Sequence, residues 1–231
     1  MKRSEINKVI REMEELIREN GFHLPPFCNW TPEEWNTKGH EYDEIRDNML
    51  GWDITDYGLG NFDKVGFGLI TLRNGNQKNP KYKKAYAEKL LFLRDDMMSP
   101  MHFHWYKSED IINRGGGTLL ITVYNDDGNG GLADSDVEVN ADGRTYTVPA
   151  GTTIELKNGE SITLWPHQYH EFHVVPGSGS VLVGEVSQCN DDENDNRFYE
   201  EVGRFPKIEE DEPPYRLLCN EYPAAPVERA S

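Results

Sequence analysis

The chain has 231 residues, 41 of them acidic and 24 basic, for a formal net charge of -17. A surface of that sign repels nucleic acid and anionic membranes, which both require clustered Lys and Arg. Five Trp, eleven Tyr and nine Phe exclude a disordered chain and supply ample material for a core.

The first predicted element is an amphipathic helix. Ser4 is its expected cap, Ile6, Val9, Ile10, Met13, Leu16 and Ile17 recur at helical spacing, and Gly21 stops it. A Pro-rich crossing, "HLPPFCNW", leads to a short second helix. There Thr31 caps, Pro32 suits the first helical position and Glu34 completes a capping box. Both helices precede any strong strand signal, so residues 1–64 read as a helical extension packed on the main body.

From about residue 65 the pattern changes to strands. "GFGLITLRNG", "EKLLFLRD", "GTLLITVYN", "SDVEVN", "RTYTVP", "TTIELKNG", "ESITLW", "HEFHVV" and "SVLVGEVS" follow one another, separated by Gly, Asn, Asp or Pro. Short strands in such succession predict an all-β barrel or sandwich over residues 65–189. The lysine-bearing "NQKNPKYKKAY" is short, flanked by acid, and reads as a solvated loop. Residues 190–231 begin acid-rich, but Phe198, Tyr199, Phe205, Ile208 and Tyr215 interrupt the charge. A solvated tail has no use for so many apolar anchors, so this segment is expected to fold back over the barrel as a lid. The three parts are expected to form one structural domain.

No apolar run approaches the roughly 20 residues needed to span a bilayer. The charged N-terminus lacks the apolar core of a signal peptide. Cys28, Cys189 and Cys219 are far apart, with no C-x-x-C spacing, and read as free thiols in a reducing compartment. A cytoplasmic protein acting on a small molecule is the expectation.

The chemistry concentrates in "SPMHFHWYKSEDIINRGGG", residues 99–117. Strand side chains alternate between faces, so His102 and His104 share one face and Phe103 takes the other. A turn through Lys107 and Ser108 returns Glu109 beside them. One buried His is most often a hydrogen-bonded core residue, whereas H-x-H-x4-E on a strand–turn–strand frame is a metal signature. A fourth ligand is expected from "LWPHQYHEFHVV", which offers His167, His170 and His173. Their spacing of three places His170 in the opposite pleat phase to the other two, and the pattern alone does not choose between phases.

His102, His104, Glu109 and Gly116 together resemble the first cupin motif, and the segment from Pro166 resembles the second. Beyond the motifs, the chain resembles the D-lyxose isomerase family of cupin sugar isomerases. The likeness runs through "HLPPF", "MHFHWYKSEDIINRGGG", "ITLWPHQYHEF", "GEVSQCNDDENDNRF" and "GRFPKIEEDEPPYRLLCNEY". It implies a cupin β-barrel, a jelly-roll-like double sheet, with the helical extension at its N-terminus. It also assigns the fourth ligand to His170, with His167 standing where the family usually has glycine; His173 reads as structural or exposed. The implied cofactor is Mn2+. Three nitrogens and one carboxylate also suit Co2+, Fe2+, Ni2+ and Zn2+, but not a hard Mg2+ or Ca2+ cage.

The implied reaction is aldose–ketose isomerisation of a pentose or hexose, D-lyxose to D-xylulose and D-mannose to D-fructose. It proceeds by proton transfer through an enediolate stabilised by the metal. Glu185, in the apolar strand "VLVGEVS", is the expected base, with burial raising its pKa. Lys89 shares a strand face with Leu91 and Leu93, and is the expected cation for O1 and O2. Asp191, Arg204, Glu209 and Arg216, all in the lid segment, are the expected partners of the remaining hydroxyls. Two rivals use the same ligands: an Fe2+-dependent cupin dioxygenase, and a non-catalytic sugar-binding cupin. The dioxygenase calls for an apolar substrate pocket, whereas the acid-rich lid and Lys89 suit a polyol. Pairing of cupins through their sheets makes a homodimer the expected assembly.

Overall fold

The computed structural model describes residues 1–192 and 194–226. Positions 193 and 227–231 of the expected lid segment lie outside the described residues. Helix α1 (Arg3–Glu19) presents Ile6, Val9, Ile10, Met13 and Ile17 to the core, and Gly21, at φ 68°, ends it. Met13 lies so close to Gly68 that a Cβ there would meet its sulfur at 2.4 Å, so the glycine lets the helix settle onto the sheet. Ser4 does not cap α1, which already begins at Arg3. Its backbone N–H and hydroxyl instead donate to Asp211, at 2.9 and 2.6 Å, so a carboxylate 207 residues away satisfies the helix start. The capping box of α2 (Pro32–Trp35) forms as read: Glu34 N–H donates to Thr31 Oγ1 at 3.2 Å and Thr31 N–H to Glu34 Oε2 at 2.8 Å. A further short helix, α3 (Asp43–Asp47), follows.

The body is all-β and built from two antiparallel sheets, the double-sheet architecture expected. In chain order the strands are β1 (Gly51–Thr55), β2 (Phe67–Arg73), β3 (Tyr86–Leu93), β4 (His102–His104), β5 (Glu109–Gly116) and β6 (Leu119–Asn125). There follow β7 (Val137–Ala141), β8 (Arg144–Val148), β9 (Thr152–Leu156), β10 (Ser161–Leu164), β11 (Gln168–Val174), β12 (Val181–Gln188) and β13 (Asn196–Phe198). The larger sheet has the order β1-β2-β3-β12-β5-β10-β7-β8, and the smaller β13-β4-β11-β6-β9. Alternating inward residues such as Ile111, Ile121, Val123, Ile162, Val174 and Val183 fill the space between them.

Two strands depart from the expected division. β1 lies inside residues 1–64, read as helical, and pairs with β2 from Gly51↔Thr71 to Thr55↔Phe67. All five of its residues are buried, so it lacks the alternation that marks a half-exposed strand. β13 lies in the acid-rich segment and pairs with β4, Phe198 opposite His102. The three cysteines are free and buried. Among the described residues no helix is long and apolar enough to cross a membrane.

Candidate metal centre and active site

The smaller sheet supplies three histidines to the space between the sheets. His102 and His104 project from the same face of β4, and His170 on β11 is the direct cross-strand partner of His102. All three are buried, and their ligating atoms lie within 4.8 Å of one another. Phe103 takes the opposite face, against Tyr169, Trp105 and His167. From the larger sheet, Glu109 at the start of β5 brings Oε1 to 3.4 Å from His104 Nε2 and 3.3 Å from His170 Nε2.

Backbone carbonyls orient two of the rings. His102 Nδ1 is 2.8 Å from the Pro100 carbonyl, and His170 Nδ1 is 3.0 Å from that of Gln168. A carbonyl only accepts, so the proton sits on Nδ1 and the Nε2 lone pair faces the cluster. Burial, with His170 and His104 nearby, pushes His102 well below its ordinary pKa. Burial and Lys107 lower His104. Burial alone would raise Glu109, but Lys107 and His104 outweigh it and hold the carboxyl well below its usual range. Neutral imidazoles beside an ionised carboxylate are the ligand forms. His170 Nε2 is buried and has no hydrogen-bond partner among the described residues, a costly state for a polar atom unless a cation accepts its lone pair. The donor set and this orphaned atom fit a borderline transition metal.

His167 and His173 stand outside the cluster. His167 occupies a left-handed turn at φ 64°, the conformation for which glycine is suited, with Nδ1 3.1 Å from Asp126 Oδ2. His173 faces Asp96 at 3.3 Å.

Beside the histidines runs a connected row of charged and amide groups. Lys107 Nζ lies 2.7 Å from Glu109 Oε2 and 2.9 Å from Glu185 Oε1. Glu185 on β12 is the cross-strand partner of Lys89 on β3, whose Nζ is 3.3 Å from the same oxygen. Ser187 Oγ also donates to Glu185 Oε1, at 3.0 Å. Lys89 donates to Asn190 Oδ1 at 2.7 Å, and Asn190 Nδ2 donates to Asp192 at 2.7 Å. Arg204 donates to Asp192 at 2.6 Å and also to Asp53 of β1. The expected rise in the Glu185 pKa is reversed. Burial does push it up, but Lys107 and Lys89 prevail and lower it, so the carboxylate is ionised and able to accept a proton.

A cavity of about 60 Å3 joins the histidines to this row, with Phe67, Leu91, Phe172 and Phe198 as its apolar walls. Lys89, Glu185 and Arg204 line it, as do His102, His104 and Glu109. The other expected sugar contacts are elsewhere. Asp191 lines a neighbouring chamber and is 3.0 Å from Lys78. Glu209 is exposed and bridges to Lys2 by its backbone, while Arg216 pairs with Glu14 of α1. Both join the C-terminal segment to the N-terminal helix, contacts that a sequence without pairing information does not show.

Three groups of the row escaped the sequence reading. Lys107 stands two residues before Glu109, in the connection between β4 and β5, where strand alternation gives no signal for it. Asn190 and Asp192 are hidden in an acidic run with nothing to distinguish them from their neighbours.

Residues 1–222 match the family model described as D-lyxose isomerase. The chain belongs to the D-lyxose isomerase family. That makes it an aldose–ketose isomerase. It is 47% identical over 223 residues to the D-lyxose/D-mannose isomerase of Escherichia coli O157:H7, covering 96% of this chain and 98% of the relative. The Serratia proteamaculans protein of the same name is 46% identical over 223 residues, with the same coverage. Among solved structures, ligand-free Cellulomonas parahominis L-ribose isomerase aligns with TM-score 0.58 at 16% identity, covering 90% of this chain and 98% of that one. Acinetobacter sp. DL28 L-ribose isomerase in complex with L-ribose aligns with TM-score 0.57 at 14% identity and the same coverage. At such identities these likenesses show a shared fold.

Proposed function

We propose that the protein interconverts D-lyxose with D-xylulose, and D-mannose with D-fructose, with Mn2+ held by His102, His104, Glu109 and His170. The observation that carries this reading is the placement of Glu185, an ionised buried carboxylate, between two lysines and next to that ligand set. When bound, the metal supplies a Lewis acid that polarises the sugar carbonyl and favours negative charge on its oxygens.

The chain's own groups do the rest. Hydrogen bonds from Lys107 and Ser187 converge on Glu185 Oε1. Among the described residues none reaches Oε2, which is the oxygen assigned to take the proton from one carbon and return it to the next. Lys89 and Lys107 hold the carboxylate in place and put positive charge where negative charge develops on O1 and O2. The cavity wall carries Lys89, Lys107 and Arg204 against Glu109, Glu185 and Asp192, a balanced lining that suits a neutral polyol. Phe67, Phe172 and Phe198 exclude water from the deprotonated sugar. A cytoplasmic homodimer belongs to the same reading. Trp105, Tyr106 and Tyr199, exposed around β4 and β13, offer aromatic area for the pairing, which sedimentation measures.

The test is turnover of D-lyxose by metal-stripped protein, with and without added Mn2+, alongside Glu185→Gln. Metal-dependent formation of D-xylulose that collapses in the variant is the expected result. Absence of turnover of lyxose, mannose and fructose with every one of the metals named overturns the reading, and O2 consumption with Fe2+ replaces it with the dioxygenase.

A further inference from the structure

The space beside Glu185 is small for the substrate assigned to it. It measures about 60 Å3, whereas small-molecule sites usually enclose about 300–1,000 Å3. A second chamber of about 710 Å3 adjoins it. The two have a common wall, since Asn190, Asp192, Asn196, Phe198 and Arg204 line both. The inner cavity therefore accommodates only the reacting end of a sugar. With C1 and C2 at Glu185, the distal carbons pass Asp192 and Arg204 toward the outer chamber.

That chamber is much larger than the end of a hexose requires, and its lining has the chemistry of a saccharide site. Exposed Gln77 presents an amide, which donates and accepts side by side as hydroxyls do, while the amides of Asn74 and Asn76 brace the backbone of the chamber wall. Met49 and Phe205, 40% and 43% exposed, add apolar surface for the C–H face of a pyranose. The chamber lining holds four carboxylates, Asp47, Asp53, Asp191 and Asp192, against the cations Lys78 and Arg204, a balance that repels a phosphate ester.

We propose that the outer chamber is a glycosyl subsite, and that the protein isomerises the reducing end of short neutral oligosaccharides substituted on the distal hydroxyl. This rests on the isomerase reading given above. The chemistry is unchanged: the C2–H bond breaks, a C1–H bond forms, and the O2 proton moves to O1. The glycosidic bond is untouched and no co-reactant is consumed.

The experiment compares Mn2+-loaded protein on D-mannose, 1→6-linked mannobiose and mannose 6-phosphate. A second arm uses Val202→Trp, which narrows the outer chamber at a position that does not line the inner cavity. If that variant does not fold, Gln77→Trp on an exposed loop replaces it. The expected kcat/KM for mannobiose is within about tenfold of that for mannose, with the phosphate ester at least about tenfold below mannobiose. In the variant the mannobiose-to-mannose ratio falls by about tenfold or more. Turnover of mannose without mannobiose overturns the inference and leaves the isomerase reading standing. An unchanged ratio in the variant, or a phosphate ester preferred to mannobiose, also overturns it. Failure on mannose and lyxose together removes both.

Discussion

Lys107 Nζ lies 2.9 Å from Glu185 Oε1 and, on its other side, 2.7 Å from Glu109 Oε2. One buried ammonium thus joins the assigned base to an assigned metal ligand. Burial would discharge such a lysine, but Glu109 and Glu185 prevail and raise its pKa, so it is a fixed cation. Lys107→Met leaves two buried carboxylates facing each other with Lys89 as the remaining neighbour. We expect kcat/KM on D-lyxose to fall about 100-fold or more, with bound Mn2+ retained because every assigned ligand is intact. Metal analysis beside steady-state kinetics checks both parts, and full activity in the variant refutes the role.

In the proposed site His170 is a metal ligand and His167 a turn residue. His170→Ala deletes a buried donor of the three-histidine cluster, and Mn2+ affinity should fall at least about 100-fold. His167→Gly should leave metal binding intact. It relieves a left-handed φ at a cost of about 1 kcal/mol, but loses the stack on Phe103 and the contact with Asp126. These effects oppose one another, so Tm should change by only a few degrees. Metal titration and thermal melting of the two variants distinguish them. Metal lost from His167→Gly and kept in His170→Ala reverses the assignment.

The Asp192 carboxyl sets part of the acid stability. Burial pushes its pKa up, but Lys89 and Arg204 prevail and hold it well below the ordinary carboxylate range. A depressed folded-state pKa stabilises fully above the unfolded value, near about 3.9 for Asp, and is lost as pH falls from there toward the folded value. The side chain is 31% exposed, and with solvent screening we assign the Arg204 pair about 1 kcal/mol. Asp192→Asn should therefore melt lower at pH 7 and show a flatter decline between about pH 5 and 3. A pH series of melting curves decides, and parallel acid limbs contradict the assignment.

How far the sequence carried depended on how local each signal was. β9 declares itself through alternation, with Thr153 and Glu155 outward and Ile154 packed inward. β1 does not, because its Asp53 is a buried acid whose neutralising Arg204 stands 151 residues later. The pair His102 and His104 is legible from i, i+2 spacing alone. The place of His170 depends on the pairing of β11 with β4, which the resemblance supplied and the spacing did not. Arg204 was found for its charge and Lys107 missed for its position in a turn, though both face the cavity. Glu209 and Arg216 were misplaced because the C-terminal segment returns to α1, where Asn7 meets Glu212 and Arg216 meets Glu14.

That return is fastened by Arg3, whose side chain is 2% exposed and forms ion pairs with both Glu210 and Glu221. Removing a buried cation that serves two carboxylates costs more than losing either pair, because the carboxylates remain without a partner. Glu210 is 57% exposed and regains water easily, while Glu221 is 21% exposed and does not. For Arg3→Ala we expect about 2 kcal/mol of lost stability, which for a chain of this size lowers Tm by about 4–8 °C. For Glu210→Ala we expect under about 1 kcal/mol, since Arg3 keeps its second partner. Neither residue lines the cavity, so kcat at a temperature well below both melting points should stay within about twofold of the parent. Calorimetry on the two variants tests the order. Equal losses would mean that the exposed pair contributes as much as the buried one, and that Glu221 is not what holds the segment to the helix.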